Sequence, residues 1–139
     1  MRVSFCIPTH DGNARCQNYL FDIFHALSQQ INKDFNVWIS DHSKSDKVLT
    51  ACKEYADLFE INYVRNPNNL GNISANTNHS LRNADGEILK VLFSDDFILT
   101  NNLVVELDKA FTGDVKWAVT GYAHTVDDGQ THYNPKVPF

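Results

Sequence analysis

Apolar residues in this sequence follow two patterns, one typical of strands and one of helices. Four runs have the length of a β-strand and are almost entirely apolar, which indicates strands buried on both faces of a sheet. They cover Arg2–Pro8, Phe35–Ser40, Ile61–Asn66 and a run that begins at Ile88. A fifth strand, longer and more exposed, is predicted over Val115–Val126.

The segments between these runs carry apolar residues at spacings of three and four, as helices with one buried face do. In the first helix the apolar positions run from Cys16 to Ile31. The second helix covers Ser43–Phe59, a third follows the polar turn that begins at Asn66, and a fourth ends at Gly113. Strands that alternate with helices predict an α/β fold of three layers, a mostly parallel sheet with helices on both faces.

Composition and charge narrow the class of protein. The chain of 139 residues has the length of about one domain, and its 42% hydrophobic content is ordinary for a soluble protein. No apolar run approaches the roughly 20 residues of a membrane span, and the N-terminus lacks the features of a signal peptide, so we expect a cytoplasmic protein. The net charge of −5 argues against a nucleic-acid partner. Cys6 and Cys52 are predicted to be buried, unreactive thiols.

Polar residues cluster where the predicted strands end. In parallel sheets, ligands bind outside the carboxyl ends of the strands, at the point where the strand order reverses. These ends read PTHDG, SDHS, RNPNN and SDD. The first lacks GxGxxG, which disfavours a dinucleotide. Asp41, in the second, either forms a turn or accepts hydrogen bonds from a ribose or base, and the sequence leaves both interpretations open.

Two adjacent carboxylates, Asp95 and Asp96, follow the apolar run that begins at Ile88. Like charges at the edge of a sheet repel each other and are costly to desolvate, and a divalent cation removes both penalties. Mg²⁺ and Mn²⁺ suit a few oxygen ligands, because they take the remaining ligands from water and substrate phosphates. Such a metal would also let an acidic protein bind an anionic nucleotide. The alternative is a surface turn before the next helix.

Taken together, the strand ends resemble the inverting family-2 glycosyltransferases of the GT-A fold. The matching segments, in order between Val3 and Leu103, are IPTHD, ISDHS, RNPNNLG and GEILKVLFSDD. The resemblance implies a Rossmann-like fold and a hexosyltransferase that moves a sugar from a nucleoside diphosphate donor, UDP rather than GDP or dTDP, to an acceptor hydroxyl on a saccharide or other molecule. It implies Mn²⁺ or Mg²⁺ as cofactor. It also divides the single domain, 1–139, into a nucleotide-binding core of about 1–113 and the start of an acceptor-side region, 114–139.

The resemblance implies a role for each strand-end residue. His10 would line the base pocket in place of the family's usual Tyr, and Asp41 would hold the base or ribose. Asp96 would ligate the metal, and Asp95 would contact the ribose or the metal and its water. The complete set of implied donor contacts is Pro8, Thr9, His10, Asp41, Asn76, Asn78, Ser94 and Asp95.

The sequence departs from the family pattern in three places. Phe93 replaces the first Asp of the family's DADD. Residues 76–78 lack the family's Arg, so Arg65 or a Lys would have to supply positive charge. The family's general base lies in a later acceptor-binding half. Asp127 and Asp128 are typical of a turn, so no catalytic residue is predicted. We therefore expect a truncated product, an excised domain, or a minimal enzyme whose acceptor site is completed by a second copy or another chain.

Two other functions stay open on the sequence. The same fold would serve as a module that binds a nucleotide sugar without turnover. A Mg²⁺-dependent receiver-like domain would use Asp41 with Asp95 and Asp96, but it needs a Lys at a later strand end, and Lys116 lies at the start of the predicted fifth strand.

Overall fold

A parallel four-stranded sheet forms the centre of the computed structural model, which describes residues 2–123 and 125. The strands are β1 (Val3–Thr9), β2 (Phe35–Asp41), β3 (Ile61–Arg65) and β4 (Ile88–Val91), in the order β3-β2-β1-β4. The helices between and after them are α1 (Cys16–Ser28), α2 (Lys47–Tyr55), α3 (Ile73–Asn83) and α4 (Leu103–Ala110). The predicted α/β fold with a parallel sheet is confirmed.

One face of the sheet carries the hydrophobic core. Successive side chains of a strand point to opposite faces, and the side chains on this face that belong to the core are Val3, Phe5 and Ile7 of β1 and Phe35, Val37 and Ile39 of β2. Phe5 on β1 packs edge-on against Phe35 on β2, with ring centroids 5.6 Å apart. Three helices cover this face, and they contribute Leu20, Ile23, Phe24 and Leu27 from α1, Val48 and Ala51 from α2, and Val104 and Leu107 from α4.

The opposite face is hydrogen-bonded rather than apolar. Ser4 on β1 donates to Asn36 on β2, with 2.6 Å between Oγ and Oδ1. Ser40 on β2 donates to Asn76 on α3, also over 2.6 Å. The buried residues of α3 are Asn76 and Ser80. We call Ser4, Asn36, Ser40 and Asn76 the polar seam, and it is through the polar seam that α3 packs on the sheet.

β3 and β4 form the two edges of the sheet and are more exposed than predicted. β1 is buried along its whole length, and β2 everywhere except Trp38. In β4 only Ile88 is buried, and β3 has no buried residue. Burial on both faces is therefore confirmed for the central strands and wrong for the edge strands. An edge strand has a neighbour on one side only, so its side chains keep contact with solvent.

The fifth strand predicted over Val115–Val126 is wrong for the residues that the structure describes. Residues 115–123 have no regular secondary structure, and Trp117 and Val119 are 76% and 79% exposed. The segment reaches β4 through a side-chain bond, in which Lys90 Nζ donates to Thr120 Oγ1 over 3.2 Å. Side chains that suit a strand do not form one without a backbone partner. Residues 124 and 126 lie outside the described part.

The helices are shorter than the apolar pattern predicts. α1 ends at Ser28, so Ile31, expected on its buried face, is 65% exposed. α2 begins only at Lys47, because the N–H of Ser45 bonds the Asp11 carboxylate over 2.8 Å and holds the preceding residues in a loop. No helix in the described ranges is long and apolar enough to cross a bilayer.

The three cysteines are free thiols in the interior. Burial raises the pKa of Cys6 and of Cys52 to about 12, so both remain protonated at neutral pH. The prediction of buried, unreactive thiols is confirmed for these two residues.

Candidate functional site

The strand order reverses between β1 and β4. The chain adds β2 and β3 on one side of β1, and α3 then carries it back to the other side, where β4 pairs with β1. Such a reversal leaves a crevice at the carboxyl ends of the two diverging strands. β1 pairs with β2 as far as Thr9 but with β4 only as far as Cys6. Pro8 therefore lies past the end of the β4 ladder, where its missing N–H costs no hydrogen bond.

A cavity of about 730 Å³, here the first cavity, lies in this crevice. The residues that follow β1 line it, together with Cys16 and Tyr19 from α1 and the segment around the start of α3. Phe93 closes it on the β4 side. Six of the predicted donor contacts line it: Pro8, Thr9, His10, Asn76, Ser94 and Asp95.

His10 is held by the backbone two residues later. Its Nδ1 accepts a hydrogen bond from the N–H of Gly12 over 2.9 Å. With Nδ1 accepting, the neutral ring carries its proton on Nε2, which becomes the donor that the ring offers to a ligand. A Cβ at position 12 would lie 2.8 Å from Nδ1. Glycine at this position therefore lets the ring keep its orientation.

Asp11 fastens the end of β1 to the loop that precedes α2. Its carboxylate accepts from the N–H of Ser45 over 2.8 Å and from the N–H of Lys44 over 3.3 Å. Hydrogen bonding to Ser45, above all, lowers the pKa of Asp11 to about 2. Lys44 and Asp11 both line the first cavity.

Asp41 is fully buried, and its carboxylate is engaged inside the protein. One oxygen accepts from the N–H of Ser43 over 2.8 Å and the other from the Tyr63 hydroxyl over 2.6 Å. Burial, reinforced by this carboxylate, raises the pKa of Tyr63 to about 12, so the phenol remains a donor. Of the two interpretations left open by the sequence, the geometry matches the turn former. Asp41 lines neither of the two cavities described here.

Asn76 and Asn78, both on α3, have different surroundings. Asn76 is buried, and its Nδ2 donates to the carbonyl oxygens of Thr9 and Ser40 over 3.1 and 3.0 Å. Its Oδ1 accepts from Ser40 and, over 3.3 Å, from Asn66. Asn76 thus holds the ends of β1 and β2 together. Asn78 is exposed, two residues further around the helix, and the structure does not bring it to the first cavity.

The RNPNNLG segment is held to the sheet through Asn66. This buried side chain accepts from the N–H of Asn68 over 3.1 Å and contacts His42 Nε2 over 3.0 Å through its Nδ2. Because an amide NH₂ can only donate, His42 Nε2 accepts, and its ring proton lies on Nδ1. Burial lowers the pKa of His42, so the ring is neutral at physiological pH. His42 belongs to the strand end SDHS, and the structure shows it in the wall of the first cavity.

A second cavity of about 480 Å³ adjoins the first, and the two share Tyr19 and Asp95. Lys90 lines it from β4, and Leu92 and Asp96 line it from the segment that follows. Asp95 therefore lies where the two cavities meet.

The two adjacent carboxylates differ in how they are held. Asp96 Oδ2 accepts from the N–H of Phe93 over 3.0 Å, which closes a turn. Within the described residues, the Asp95 carboxylate has no hydrogen-bond or ion-pair partner. Asp95 is the more available ligand, whereas the resemblance gave the metal to Asp96 first.

The described residues contain no cluster of three His, Cys, Asp or Glu side chains that would hold a metal by themselves. Two exposed carboxylates at the junction of two cavities nevertheless fit Mg²⁺ or Mn²⁺. These ions are commonly bound through one or two carboxylates and complete their coordination with water and substrate phosphates.

Of the cations named from the sequence, Arg65 or a Lys, the structure brings lysines but not Arg65 to the cavities. Arg65 donates to Asp46 over 2.8 Å and to the Tyr63 hydroxyl over 2.9 Å, so it is committed to the β3 edge. Lys44 lines the first cavity and Lys90 the second. The sequence shows that both residues are cationic. It does not show that they line the cavities, because this depends on the path of a loop for Lys44 and on the face of an edge strand for Lys90.

Leu70 and Ile73 are further residues that the sequence interpretation missed. They line the first cavity although they are 56% and 63% exposed. The sequence feature that could have identified them is the occurrence of two aliphatic residues shortly after the polar NPNN turn.

Comparison with solved structures identifies the same fold in larger proteins. S. aureus TarS matches with a TM-score of 0.68 and 22% identity, over 78% of this chain and 19% of that chain. TarS 1-349 in complex with UDP-GlcNAc matches with a TM-score of 0.64 and 24% identity, over 79% of this chain and 30% of that one.

A mannosyltransferase from Pyrobaculum calidifontis, PcManGT, in complex with GDP-Man and Mn²⁺, matches with a TM-score of 0.64 and 20% identity. That match covers 81% of this chain and 33% of the other. The chain thus spans a third or less of the length of these proteins, and identities this low establish a shared fold.

Comparison with curated protein sequences gives no match. The model of the family described as Glycosyl transferase family 2 matches residues 4–136. The resemblance drawn from the strand ends is thereby confirmed. Since the match extends over almost the entire chain, this protein belongs to glycosyl transferase family 2.

Proposed function

We propose that the first cavity binds the nucleoside diphosphate of a sugar donor, most simply UDP, and that the chain serves inverting transfer of the sugar to an acceptor hydroxyl. The observation that carries this proposal is the place of Asp95. Its carboxylate, which has no partner among residues 2–123 and 125, lies near the switch point of the sheet, where a 730 Å³ cavity meets a second one. A volume of this size suits a ligand as large as a nucleotide.

Two relatives support the choice of ligand. The solved structures with the same fold include one in complex with UDP-GlcNAc and one with GDP-Man and Mn²⁺. In this chain the nucleoside would lie along Pro8–His10, with the Nε2–H of His10 as a donor to the base. The diphosphate would extend towards Ser94 and Asp95. Asn76 contributes by fixing the end of β1 rather than by touching the ligand.

Asp95 and Asp96 would hold Mn²⁺ or Mg²⁺ between them. The ion would stabilise the negative charge of the leaving diphosphate. The two carboxylates of the protein cannot do this by themselves. Lys44 adds a cation to the wall of the first cavity. The turn that Asp96 closes with Phe93 fixes the Asp96 carboxylate just after β4 and leaves the Asp95 carboxylate free of other partners among the described residues.

The donor site is tested by calorimetry of UDP binding to the full chain in the presence of Mn²⁺. We expect Asp95→Asn to weaken UDP binding by about tenfold or more, because the metal that contacts the phosphates would lose one of its protein ligands. Asp57→Asn, which removes an exposed carboxylate at the end of α2, should leave the affinity within about twofold. No UDP binding to the wild-type protein, or equal affinities for the two variants, would overturn the proposal.

A module that binds the donor without turnover is the second candidate. Among the described residues, the carboxylates that line the two cavities are Asp11, Asp95 and Asp96. The backbone N–H groups of two residues already hold Asp11. Asp95 and Asp96 are the proposed metal ligands, so none of the three carboxylates is available as a general base. Incubation of the full chain with UDP-sugars and hydroxyl acceptors separates the candidates. Release of UDP that depends on the acceptor supports the transferase, whereas binding without release supports the module.

A further inference from the structure

We propose that the second cavity recognises an acceptor that carries a negatively charged oxygen group, a phosphate or a carboxylate, and that Lys90 pairs with this group. The inference rests on the proposed function, since it takes the first cavity as the donor site. It adds the chemical class of the acceptor, which no feature of the donor site defines.

Lys90 occupies an unusual position for a charged residue. It pairs in register with Phe5 of β1, so its side chain leaves the sheet on the same face as Phe5, the face of the hydrophobic core. The residue is partly buried, and Leu92, two positions further on the same face, is buried. Placing an ammonium group on an apolar face is costly unless its charge is compensated.

The compensation inside the described part of the protein is small. Lys90 Nζ donates to the neutral hydroxyl of Thr120 over 3.2 Å. No carboxylate of residues 2–123 or 125 lies within ion-pair distance of Nζ. An ammonium group has three donors. The strand therefore delivers to this cavity, whose wall also contains Asp95 and Asp96, a positive charge whose remaining donors have no partner among the described residues.

The cavity has the size and place of an acceptor site. Its volume of about 480 Å³ lies within the range of small-molecule sites. It meets the first cavity at Asp95, where the sugar of a bound donor would lie. Lys90 does not line the first cavity. Its charge is thus offered to a second molecule rather than to the diphosphate of the donor.

Three probes with the same carbon skeleton test the proposal: glycerol 3-phosphate, glycerate and glycerol. Each is titrated into the full chain, with and without UDP and Mn²⁺, and followed by amide chemical shifts. We expect both anions to bind about tenfold or more tightly than glycerol and to shift the amides of Leu92, Thr120 and Gly121. Equal binding of the three probes, or shifts confined to the first cavity, would overturn the inference. Tighter binding of glycerol 3-phosphate would indicate an acceptor that carries a phosphate, and tighter binding of glycerate one that carries a carboxylate.

Variants at position 90 assign the effect to the lysine. Lys90→Met keeps the apolar stem and removes the charge, and should reduce the affinity for both anions to that for glycerol. Lys90→Arg should retain most of it. Lys53→Met, the same change at an exposed site on α2, is the control and should have no effect. Anion affinity unaltered in Lys90→Met contradicts the proposal. If Lys90→Met does not fold, the comparison of glycerol with glycerol 3-phosphate on the wild-type chain decides.

The same samples separate this inference from the donor proposal. Lys90→Met should bind UDP with Mn²⁺ within about twofold of the wild-type affinity, because Lys90 lies outside the first cavity. Lys90-dependent binding of anions without any UDP binding would leave the anion site standing and reject the donor site. UDP binding without anion binding would support the donor site and reject the anion site.

Discussion

Asp11 and His10, neighbours at the end of β1, are each held by backbone N–H groups. The Asp11 carboxylate receives the N–H groups of Lys44 and Ser45, and the His10 ring receives that of Gly12. A backbone donor cannot turn away as a side chain can. These bonds therefore fix the position of both side chains before any ligand is bound.

Asp11 should make the stability of the fold depend on acid. Its pKa is lowered from 3.8 to about 2, so the folded state favours the charged form. This contribution is complete above pH 3.8 and disappears as the pH falls towards about 2. At neutral pH, Asp11→Asn should lower the melting temperature by about 2–4 °C, a value reduced by solvent screening of a partly exposed group.

The measurement is thermal unfolding of the wild-type protein and Asp11→Asn across that pH range. The difference between the two should shrink as the pH approaches 2. Asp22→Asn, on the exposed side of α1, controls for the loss of one charge. A difference that stays constant with pH would show that the carboxylate is not held as described.

At the scale of elements, α3 differs from the other helices in how it is attached. α1, α2 and α4 bury aliphatic and aromatic side chains, whereas α3 buries Asn76 and Ser80. Hydrogen bonds are directional, so the polar seam defines the position of α3 along the sheet more sharply than apolar packing does. It also makes the attachment of α3 sensitive to mutation, because the loss of one side chain leaves several buried polar groups without a hydrogen-bond partner.

Asn76→Ala should therefore destabilise the protein by about 2–3 kcal/mol, since it leaves the carbonyl oxygens of Thr9 and Ser40 and the amide of Asn66 without this partner. Asn78→Ala is the matched control on the same helix, and should change the free energy of unfolding by less than about 0.5 kcal/mol. Urea unfolding of the full chain measures both. Similar losses for the two variants would contradict the assigned roles.

Most elements could be predicted from local pattern, but two features could not. The continuous apolar runs of β1 and β2 reflect burial on both sides, which the sequence records directly. The segment 115–123 has residues that suit a strand, yet strand formation depends on a partner far away in the chain. The polar seam was hidden for a related reason: Ser4, Asn36 and Asn76 resemble surface residues until the direction in which each points is known.

The candidate site was predictable in its location and less so in its details. Parallel strands bring their carboxyl ends to one edge, and six of the predicted donor contacts indeed line one cavity. Asp41 lies at the expected strand end, but its carboxylate faces Tyr63 and the following turn. A helix turns about 100° per residue, so Asn76 faces the sheet and Asn78 does not. These outcomes depend on side-chain direction, which residue type and spacing leave undetermined.

At the scale of the whole molecule, protection should fall from the centre of the sheet to its edges. β1 is paired on both sides and buried, whereas β4 is a short edge strand with one buried residue. In hydrogen exchange of the full chain, we expect the amides of Phe5 and Ile39 to exchange about tenfold or more slowly than those of Leu89 and Val91. Equal rates in β1 and β4 would indicate that the chain opens only globally.

The polar seam has a calorimetric consequence. Unfolding raises the heat capacity in proportion to the apolar surface that it exposes, and polar surface lowers it. Detachment of α3 alone would expose mostly amides and hydroxyls. The small positive heat-capacity change from apolar surface would then be nearly cancelled by the negative change from polar surface. The same event would release the ends of β1 and β2 and the loop after β3 and dismantle the wall of the first cavity. If α3 detached before the core unfolded, ligand binding would be lost while a calorimetric scan still recorded an intact core.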